Sequence, residues 1–227
     1  MAKANELTIT GARFVAAATP GSTLPAAIVA EIAFAGRSNV GKSSLLNTLM
    51  QRKHLVRTSS TPGCTRGINI FEAICGDGVI THFVDLPGYG FANRSKQERA
   101  SWGPHLETYL RERPTLRAVA LLVDVRRGVE SEEQDLLEFL TTLKNPSRPA
   151  LQVILVATKT DKIPSSRRKI GIANMATGGL PVIGFSSETG DGRDELLRRL
   201  RRAVGVTVTP EDAAKIAKKE AAAGSVS

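Results

Sequence analysis

The chain is poor in the residues that build several common kinds of functional site. Its 227 residues include only 2 cysteines, Cys64 and Cys75, too few for a cysteine-bound metal cluster or a disulfide framework. Aromatic residues make up 4% of the chain, which argues against a surface that stacks single-stranded bases. No apolar run approaches the roughly 18 residues of a membrane-spanning helix, and residues 1–10 lack the apolar core of a signal peptide. We therefore expect a cytoplasmic protein without a membrane span.

Acidic residues are also scarce relative to basic ones. The chain has 31 Lys and Arg against 22 Asp and Glu, a formal net charge of +9. This excess favours a polyanionic partner, with nucleic acid first and an anionic membrane surface second. A basic surface without a partner is the alternative. If RNA is bound, we expect contacts to phosphates and to helical shape to dominate.

Strand-like apolar runs alternate with helix-period segments from about residue 31 to residue 204, as in an α/β fold with a sheet covered on both faces. The predicted strands are Glu31–Ala35, Ile68–Ile74, Val79–Asp85, Arg117–Asp124, Gln152–Thr158 and Pro181–Phe185. The predicted helices are Ser43–Gln51, Gln97–Arg111, Glu132–Leu143, Ser166–Met175 and Asp194–Ala203. The linker between the second and third strands is too short for a crossover, so these two form an antiparallel hairpin. We predict a six-stranded, mostly parallel sheet with that hairpin at one edge and helices on both faces.

The first predicted strand leads into a phosphate-binding pattern, G-x-x-x-x-G-K-[ST], which opens the first predicted helix. Glycines let the backbone wrap closely around phosphates, and the amides at the helix N-terminus supply partial positive charge. The lysine is expected to reach the β- and γ-phosphates, and the final serine to bind Mg²⁺. The residues of this phosphate loop are Gly36, Arg37, Ser38, Asn39, Val40, Gly41, Lys42 and Ser43.

A second motif, D-L-P-G, ends the third predicted strand. Asp85 is placed to hold Mg²⁺ through water, and the amide of Gly88 is placed to meet the γ-phosphate. A contact that exists only with the triphosphate can switch the loop that follows. We assign Asp85, Leu86, Pro87 and Gly88 to the nucleotide site.

A third motif, T-K-T-D, ends the strand Gln152–Thr158. The carboxylate of Asp161 can accept hydrogen bonds from the ring and exocyclic N–H groups of guanine, a donor pair that adenine lacks. The stem of Lys159 can pack on the purine face. This arrangement predicts GTP rather than ATP, and a backbone amide near Ser187 can meet the guanine carbonyl. The predicted base-binding residues are Thr158, Lys159, Thr160, Asp161, Phe185, Ser186 and Ser187.

Between the first helix and the hairpin lies a long polar loop, residues 57–67, punctuated by Gly and Pro. Loops of this length are often functional. One of its threonines is expected to reach Mg²⁺ when the γ-phosphate is present, but spacing alone does not choose among the hydroxyls.

Taken in order, GRSNVGKSSLLN, TPGCTRGIN, DLPGYGFA, TKTD and FSS resemble the EngB/YihA/YsxC family of ribosome-biogenesis GTPases, in the TrmE–Era–EngA class. The resemblance covers about residues 12–205 and implies the P-loop GTPase fold. It implies that Thr65 joins Ser43 as a Mg²⁺ ligand, with Lys42, Thr65 and Gly88 acting in catalysis. It also implies a role in assembly of the large ribosomal subunit, with effects on cell division and septation. The loop residues implied to contact nucleotide are Gly63, Cys64, Thr65, Arg66 and Gly67.

Two further expectations concern hydrolysis. Tyr89 follows Gly88 where Ras-like proteins place the glutamine that orients water, so we expect slow intrinsic hydrolysis that a bound partner accelerates. In related GTPases an asparagine at the position of Asn39 binds K⁺, which predicts K⁺ as a second cofactor. A loop-capping role for Asn39 is the alternative.

The motifs divide the chain into three parts. We expect residues 1–30 to form an extension that packs on or extends the GTPase domain, in which the part before Thr19 adds a short strand or lies over the sheet. Residues 31–205 are expected to form that domain, and residues 206–227 a basic, Ala-rich tail, helical or disordered. In the last predicted helix the apolar residues face the sheet and leave the run Arg198–Arg202 on the surface, either solvated or facing RNA.

The function that the sequence favours is a monomeric Mg²⁺- and GTP-dependent switch acting on the precursor of the large ribosomal subunit. Two alternatives remain open: a P-loop phosphotransferase, and a division scaffold in which GTP only sets the conformation.

Overall fold

The computed structural model describes residues 7–57, 67–88 and 96–205, with the backbone alone for residues 96–102. Thirteen elements follow one another in this part of the chain. They are β1 (Ile9–Ala18), β2 (Glu31–Gly36), α1 (Lys42–Met50), β3 (Ile68–Cys75), β4 (Ile80–Asp85), α2 (Lys96–Glu112), β5 (Leu116–Asp124), α3 (Ser131–Thr142), β6 (Gln152–Thr158), a 3₁₀ turn (Thr160–Lys162), α4 (Ser165–Ala173), β7 (Val182–Gly184) and α5 (Arg193–Val204).

The strands form one mixed sheet in the order β1-β3-β4-β2-β5-β6-β7. The neighbours of β2, β5, β6 and β7 run parallel, whereas β3 pairs antiparallel with both β1 and β4. Successive residues of a strand point to opposite faces. In β2, Ile32 and Phe34 therefore join one apolar core, and Ala33 and Ala35 join the other. The first core is covered by α1 and α5, and the second by α2, α3 and residues of α4.

The α/β fold with helices on both faces is confirmed, and each predicted strand and helix matches an observed one to within two residues at its ends. The predicted count of six strands is wrong, because the sheet has seven. The additional strand, β1, pairs with β3, so β1 and not the hairpin β3–β4 lies at the edge. Two register shifts, between Ile9 and Gly11 and between Phe14 and Ala16, break the regular alternation by which a strand is recognised in sequence.

At the amino end of β2, a buried polar network ties α2 to the sheet. The carboxylate of Glu31, fully buried, accepts hydrogen bonds from Arg113 at 2.6 and 2.9 Å and from the hydroxyl of Tyr109 at 3.0 Å. Arg148, from the loop before β6, donates to the carbonyls of Arg113 and Leu110. Burial, aided by the charge of Glu31, raises the pKa of Tyr109 well above its ordinary value. The C-terminal end of α2 is thus fixed at the edge opposite the sequence motifs.

In the part of the chain that the structure describes, every helix is too short or too polar to cross a membrane. The proposed division at residues 30 and 205 stays a prediction. The tail, residues 206–227, lies outside the described residues.

Candidate nucleotide-binding site

The predicted motifs meet along one edge of the sheet. Because β2, β4, β5, β6 and β7 run parallel, their carboxyl ends lie side by side. In open α/β sheets, ligands bind in the crevice outside this edge. The sequence ends these five strands with the phosphate loop, Asp85, Asp124, Thr158 and the segment Phe185–Ser187 respectively.

The phosphate loop gives α1 a start suited to an anion. Gly41, its N-cap, has φ +100°, a left-handed conformation that glycine adopts without strain. Asn39 is also left-handed, at φ +64°. The first turn of α1 has neither a side-chain cap nor an acidic residue, so its leading N–H groups and the positive end of the helix dipole stay available to phosphate.

Lys42 and Asp85 form a buried ion pair beneath this loop. The lysine ammonium donates to one carboxylate oxygen of Asp85, and the two side chains are 7% and 1% exposed. The other oxygen, Oδ2, is buried and has no hydrogen-bond partner among the described residues. Buried polar atoms are nearly always paired, so this oxygen marks a place where a ligand is expected.

The strand β4 leads Gly88 to the phosphate loop. A side chain at position 88 would lie 3.2 Å from the amide nitrogen of Ser38 and 3.3 Å from the carbonyl oxygen of Gly36. Glycine therefore allows this close approach of two backbones. Leu86 and Pro87, which precede it, are buried, and Leu86 donates its N–H to Phe34 in β2.

The T-K-T-D motif is joined to the phosphate loop by two hydrogen bonds. The hydroxyl of Thr158 donates to the carbonyl of Val40 at 2.8 Å, and the ammonium of Lys159 donates to the carbonyl of Asn39 at 2.6 Å. Lys159 also lies 3.0 Å from the carboxylate of Asp124 at the end of β5. Burial acts to raise the pKa of Asp124, but hydrogen bonds from Arg126 and Lys159 outweigh it and hold that pKa well below its ordinary value.

Asp161 is positioned by the next loop. The hydroxyl of Ser186, fully buried, donates to Oδ1 of Asp161 at 2.7 Å. This bond, with a smaller contribution from Lys162, lowers the pKa of Asp161 and keeps it ionised as an acceptor. The same Ser186 oxygen accepts N–H bonds from Glu188 and Thr189 at 3.2 Å, which fixes the turn. The N–H of Ser187 has no hydrogen-bond partner among the described residues.

Two features of the site were not predicted from the sequence. Asp124 orients Lys159. The sequence could have indicated this role, because Asp124 ends a buried strand as Asp85 does. Arg37 donates to Glu130, the N-cap of α3, and lies 3.4 Å from Glu132. Arg127 also donates to Glu130, and it contributes most, ahead of Arg37, to lowering the pKa of that carboxyl. Arg37 and Glu130 are 93 residues apart, so no local sequence pattern predicts their contact.

The predicted nucleotide contacts in the loop 57–67 divide into two groups. Gly67 lies beside the end of β1, where a side chain on it would meet the carbonyl of Ala18 at 3.0 Å. Gly63, Cys64, Thr65 and Arg66 lie outside the described residues, as does Tyr89.

Comparison with known proteins supplies the family. A family model described as "50S ribosome-binding GTPase" matches residues 31–159, from the start of β2 to Lys159. An EngB GTP-binding protein of Desulforapulum autotrophicum is 47% identical over 191 residues, which are 82% of this chain and 93% of the relative. The chain belongs to the EngB family of GTP-binding proteins.

As a member of the EngB family with the matched GTPase domain, the chain is a GTPase. Solved structures agree in fold. A crystal structure of an EngB protein covers 77% of this chain and 98% of its own, with 26% identity and a TM-score of 0.56. Aquifex aeolicus Era bound to GDP·AlF₄⁻ covers 77% of this chain and 56% of its own, with 25% identity and a TM-score of 0.62.

Proposed function

We propose that this chain is a Mg²⁺-dependent GTP switch whose triphosphate form docks on a precursor of the large ribosomal subunit and leaves it after hydrolysis. The observation that carries the proposal is the Lys42–Asp85 pair at the end of β4, together with the close approach of Gly88 to the phosphate loop. A lysine for the phosphates, a carboxylate for the metal and a glycine amide for the γ-phosphate are the parts that such a switch requires. The description of the matched family as ribosome-binding supports the choice of partner.

The residues at this edge suit Mg²⁺. Asp85 offers a buried carboxylate oxygen without a partner, and the hydroxyl of Ser43 makes no hydrogen bond to a described residue. Mg²⁺ prefers such oxygen ligands and keeps several of its waters. We propose that Ser43 binds the ion directly, that Asp85 binds it through water, and that Thr65 completes the set when the γ-phosphate is present. The ion would neutralise charge on the phosphates.

We propose a separate role in nucleotide binding for each group of site residues. The amides of the phosphate loop, from Gly36 to Ser43, cradle the phosphates, and Lys42 turns from Asp85 toward the β- and γ-phosphates. Asp161, held ionised by Ser186, accepts the two guanine N–H groups. Lys159, fixed to the phosphate loop and to Asp124, packs its stem on the base. We propose that residues 63–67 contact the nucleotide as well, that Lys42, Thr65 and Gly88 take part in catalysis, and that Thr158, Thr160, Phe185 and Ser187 complete the base site.

Hydrolysis is expected to be slow in the free protein, because Tyr89 stands where a water-orienting glutamine would be. Asn39 is a candidate ligand for K⁺, since its side chain is exposed and makes no hydrogen bond with the described residues. Equal turnover in KCl and in NaCl would exclude this role for K⁺.

The cellular setting belongs to the same proposal. We propose a cytoplasmic monomer that acts on the ribosomal precursor, and effects on cell division and septation would follow from impaired ribosome supply. A phosphotransferase is less well supported, since the bonded arrangement of Asp161 and Ser186 serves recognition of a base.

Co-sedimentation with purified large ribosomal subunits tests the proposal. The protein would be assayed with GDP, with a non-hydrolysable GTP analogue and without nucleotide, each at two salt concentrations. We expect pelleting with the large subunit that depends on the analogue. Equal, salt-sensitive pelleting in every nucleotide state would mean that the protein binds RNA only through its net charge of +9. No pelleting would refute the large ribosomal subunit as the partner.

A further inference from the structure

The arginines of α5 differ in what they contact. Arg193 donates to the carbonyls of Thr48 and Leu49 at the C-terminus of α1. Arg198 donates to the carbonyl of Asp194 one turn earlier, and Arg201 pairs with Asp77. These three have structural partners.

Arg199 and Arg202 have no such partner among the described residues. Both are exposed, and neither makes a hydrogen bond or an ion pair with any residue that the structure describes. They are three residues apart, so they lie one turn from each other on the same face of α5. Leu197 and Val204, on the opposite side of the helix, are buried against the sheet and hold the helix in place. Two free guanidinium groups are thus displayed side by side on a rigid support.

The two arginines line a cleft of about 310 Å³, here called the arginine cleft, between α5 and the start of β6. Its other walls are neutral, and no acidic side chain is among the described residues that line it. The amide of Gln152 adds hydrogen-bonding groups. Ala203 of α5 and Pro149, Ala150 and Ile154 complete the lining.

We propose that the arginine cleft binds the phosphodiester backbone of RNA, with Arg199 and Arg202 as the phosphate ligands. The planar guanidinium group donates two parallel hydrogen bonds to phosphate, and a concave, acid-free site concentrates the attraction. RNA as the source of the phosphate rests on the proposed function. An anionic membrane fits less well, because the exposed large apolar side chains of the described residues, Phe14 and Ile170, lie on other elements and give the cleft no membrane anchor.

The arginine cleft is remote from the GTP site. Gln152 begins β6 and Thr158 ends it, so a strand of seven residues, about 20 Å long, separates the cleft from the guanine motif. α5 begins beside Ser186 and runs back along the sheet to the opposite edge. The contact with RNA is therefore independent of the bound nucleotide and adds a constant affinity to any contact that the nucleotide controls.

The test compares two charge-matched double variants of the full chain. Arg199→Gln with Arg202→Gln removes the phosphate ligands. Arg167→Gln with Lys169→Gln removes two exposed charges from α4, which packs on the other face of the sheet. The probe is a fluorescein-labelled RNA hairpin of about 20 nucleotides, titrated in 50–200 mM KCl with GDP and with a non-hydrolysable GTP analogue.

We expect the α5 variant to bind the hairpin about tenfold more weakly at 100 mM KCl, by the same factor with either nucleotide. The slope of log K against log salt should become shallower by about 1.4 to 1.8, or 0.7–0.9 for each lost phosphate contact. The α4 variant should change affinity less than about threefold. Arg199→Lys with Arg202→Lys should keep the slope and lose part of the affinity, because lysine lacks the bidentate geometry. GTP affinity and the urea midpoint, measured on each variant, show whether the fold is intact.

Equal losses in the α5 and α4 variants would overturn the proposal, since net charge would then account for binding. Unchanged RNA binding would also overturn it, as would an α5 variant that lost binding only to phosphatidylglycerol vesicles. The proposed function fails separately: unchanged hairpin binding by an α5 variant that still pellets in an analogue-dependent way would refute the arginine cleft alone. A wild-type protein that binds the hairpin through Arg199 and Arg202 but pellets with no subunit would refute the switch alone.

Discussion

At the carboxyl end of β4, Asp85 meets Lys42, and at the amino end of β2, Glu31 meets Arg113. Both pairs are buried, but only one is complete. Each oxygen of Glu31 accepts at least one hydrogen bond, from Arg113 or Tyr109, whereas one oxygen of Asp85 has no partner among the described residues. A buried charge is tolerated when its hydrogen bonds are satisfied and is costly otherwise. The Glu31–Arg113 pair therefore stabilises the fold, whereas the Lys42–Asp85 pair leaves one buried oxygen for a ligand.

The largest effect is expected from breaking the complete pair. Arg113→Leu leaves the carboxylate of Glu31 buried with only Tyr109, so the free energy of unfolding should fall by about 3–5 kcal/mol. Urea denaturation measures it. Adding Glu31→Gln to Arg113→Leu removes the uncompensated charge and should recover much of the loss. A single variant as stable as the parent would show that the network does not hold α2.

Breaking the incomplete pair should affect the ligand more than the fold. Asp85→Asn is expected to lower affinity for GTP in Mg²⁺ about 100-fold, as measured by titration with a fluorescent GTP analogue, and to abolish the difference between Mg²⁺ and EDTA. Without nucleotide, the free energy of unfolding should fall by less than the roughly 3–5 kcal/mol expected for Arg113→Leu, because the amide oxygen of the asparagine can still accept a hydrogen bond from Lys42. A large loss of stability with Mg²⁺ dependence retained would place Asp85 beside Glu31 as a structural carboxylate.

A smaller effect is expected at the proposed base site, which lies along the same edge. Asp161→Asn replaces an ionised acceptor, and we expect affinity for GTP to fall about 10- to 100-fold, with a gain for xanthosine triphosphate. Competition titrations with the two nucleotides measure the change. Lys162→Gln is the matched control, since Lys162 lies 3.1 Å from Asp161 and is more than half exposed. An Asp161 variant that still prefers GTP as strongly as the parent would contradict the assignment.

The smallest expected effect is on the pH dependence of folding stability, through His82 near the amino end of β4. His82 in β4 is buried, and burial lowers its pKa in the folded protein. The unfolded chain, with a histidine pKa near 6.5, therefore binds more protons as the pH falls, so folding stability decreases below about pH 6.5. His82→Gln should reduce this decrease by about 1 kcal/mol between pH 7.5 and 5.5, measured by urea denaturation.

His54, which is exposed, provides the control for that measurement. His54→Gln should leave the pH dependence of stability as it is in the parent. If both variants flattened the profile equally, burial of His82 would not be its cause.

The two edges also differ in how far they could be predicted from the sequence. The phosphate loop and the ends of β4 and β6 are local patterns, in which a strand, a turn and a helix start follow within a dozen residues, so their positions at one edge were predictable. The Glu31–Arg113 contact spans 82 residues and Arg37–Glu130 spans 93, and neither partner carries a local signal. Ser186 was predicted as a base-site residue, but its bond to Asp161 came only from the folded geometry. For the segment before Thr19 the sequence left open a short strand or a stretch lying over the sheet, because the bulges and half-exposed residues of β1 obscure the period of two.

That edge strand has a consequence for how the protein can be handled. β3 is an apolar strand, and β1 occupies its outer backbone groups along its length, from Cys75 to Ile68. β1 itself presents to solvent an edge interrupted by two bulges and bearing Arg13, features that discourage pairing with another chain. A shortened chain that begins at β2, near residue 31, would expose the backbone of β3 as a long, apolar edge. Such a chain would be expected to aggregate, so expression of the GTPase domain needs to begin before residue 9.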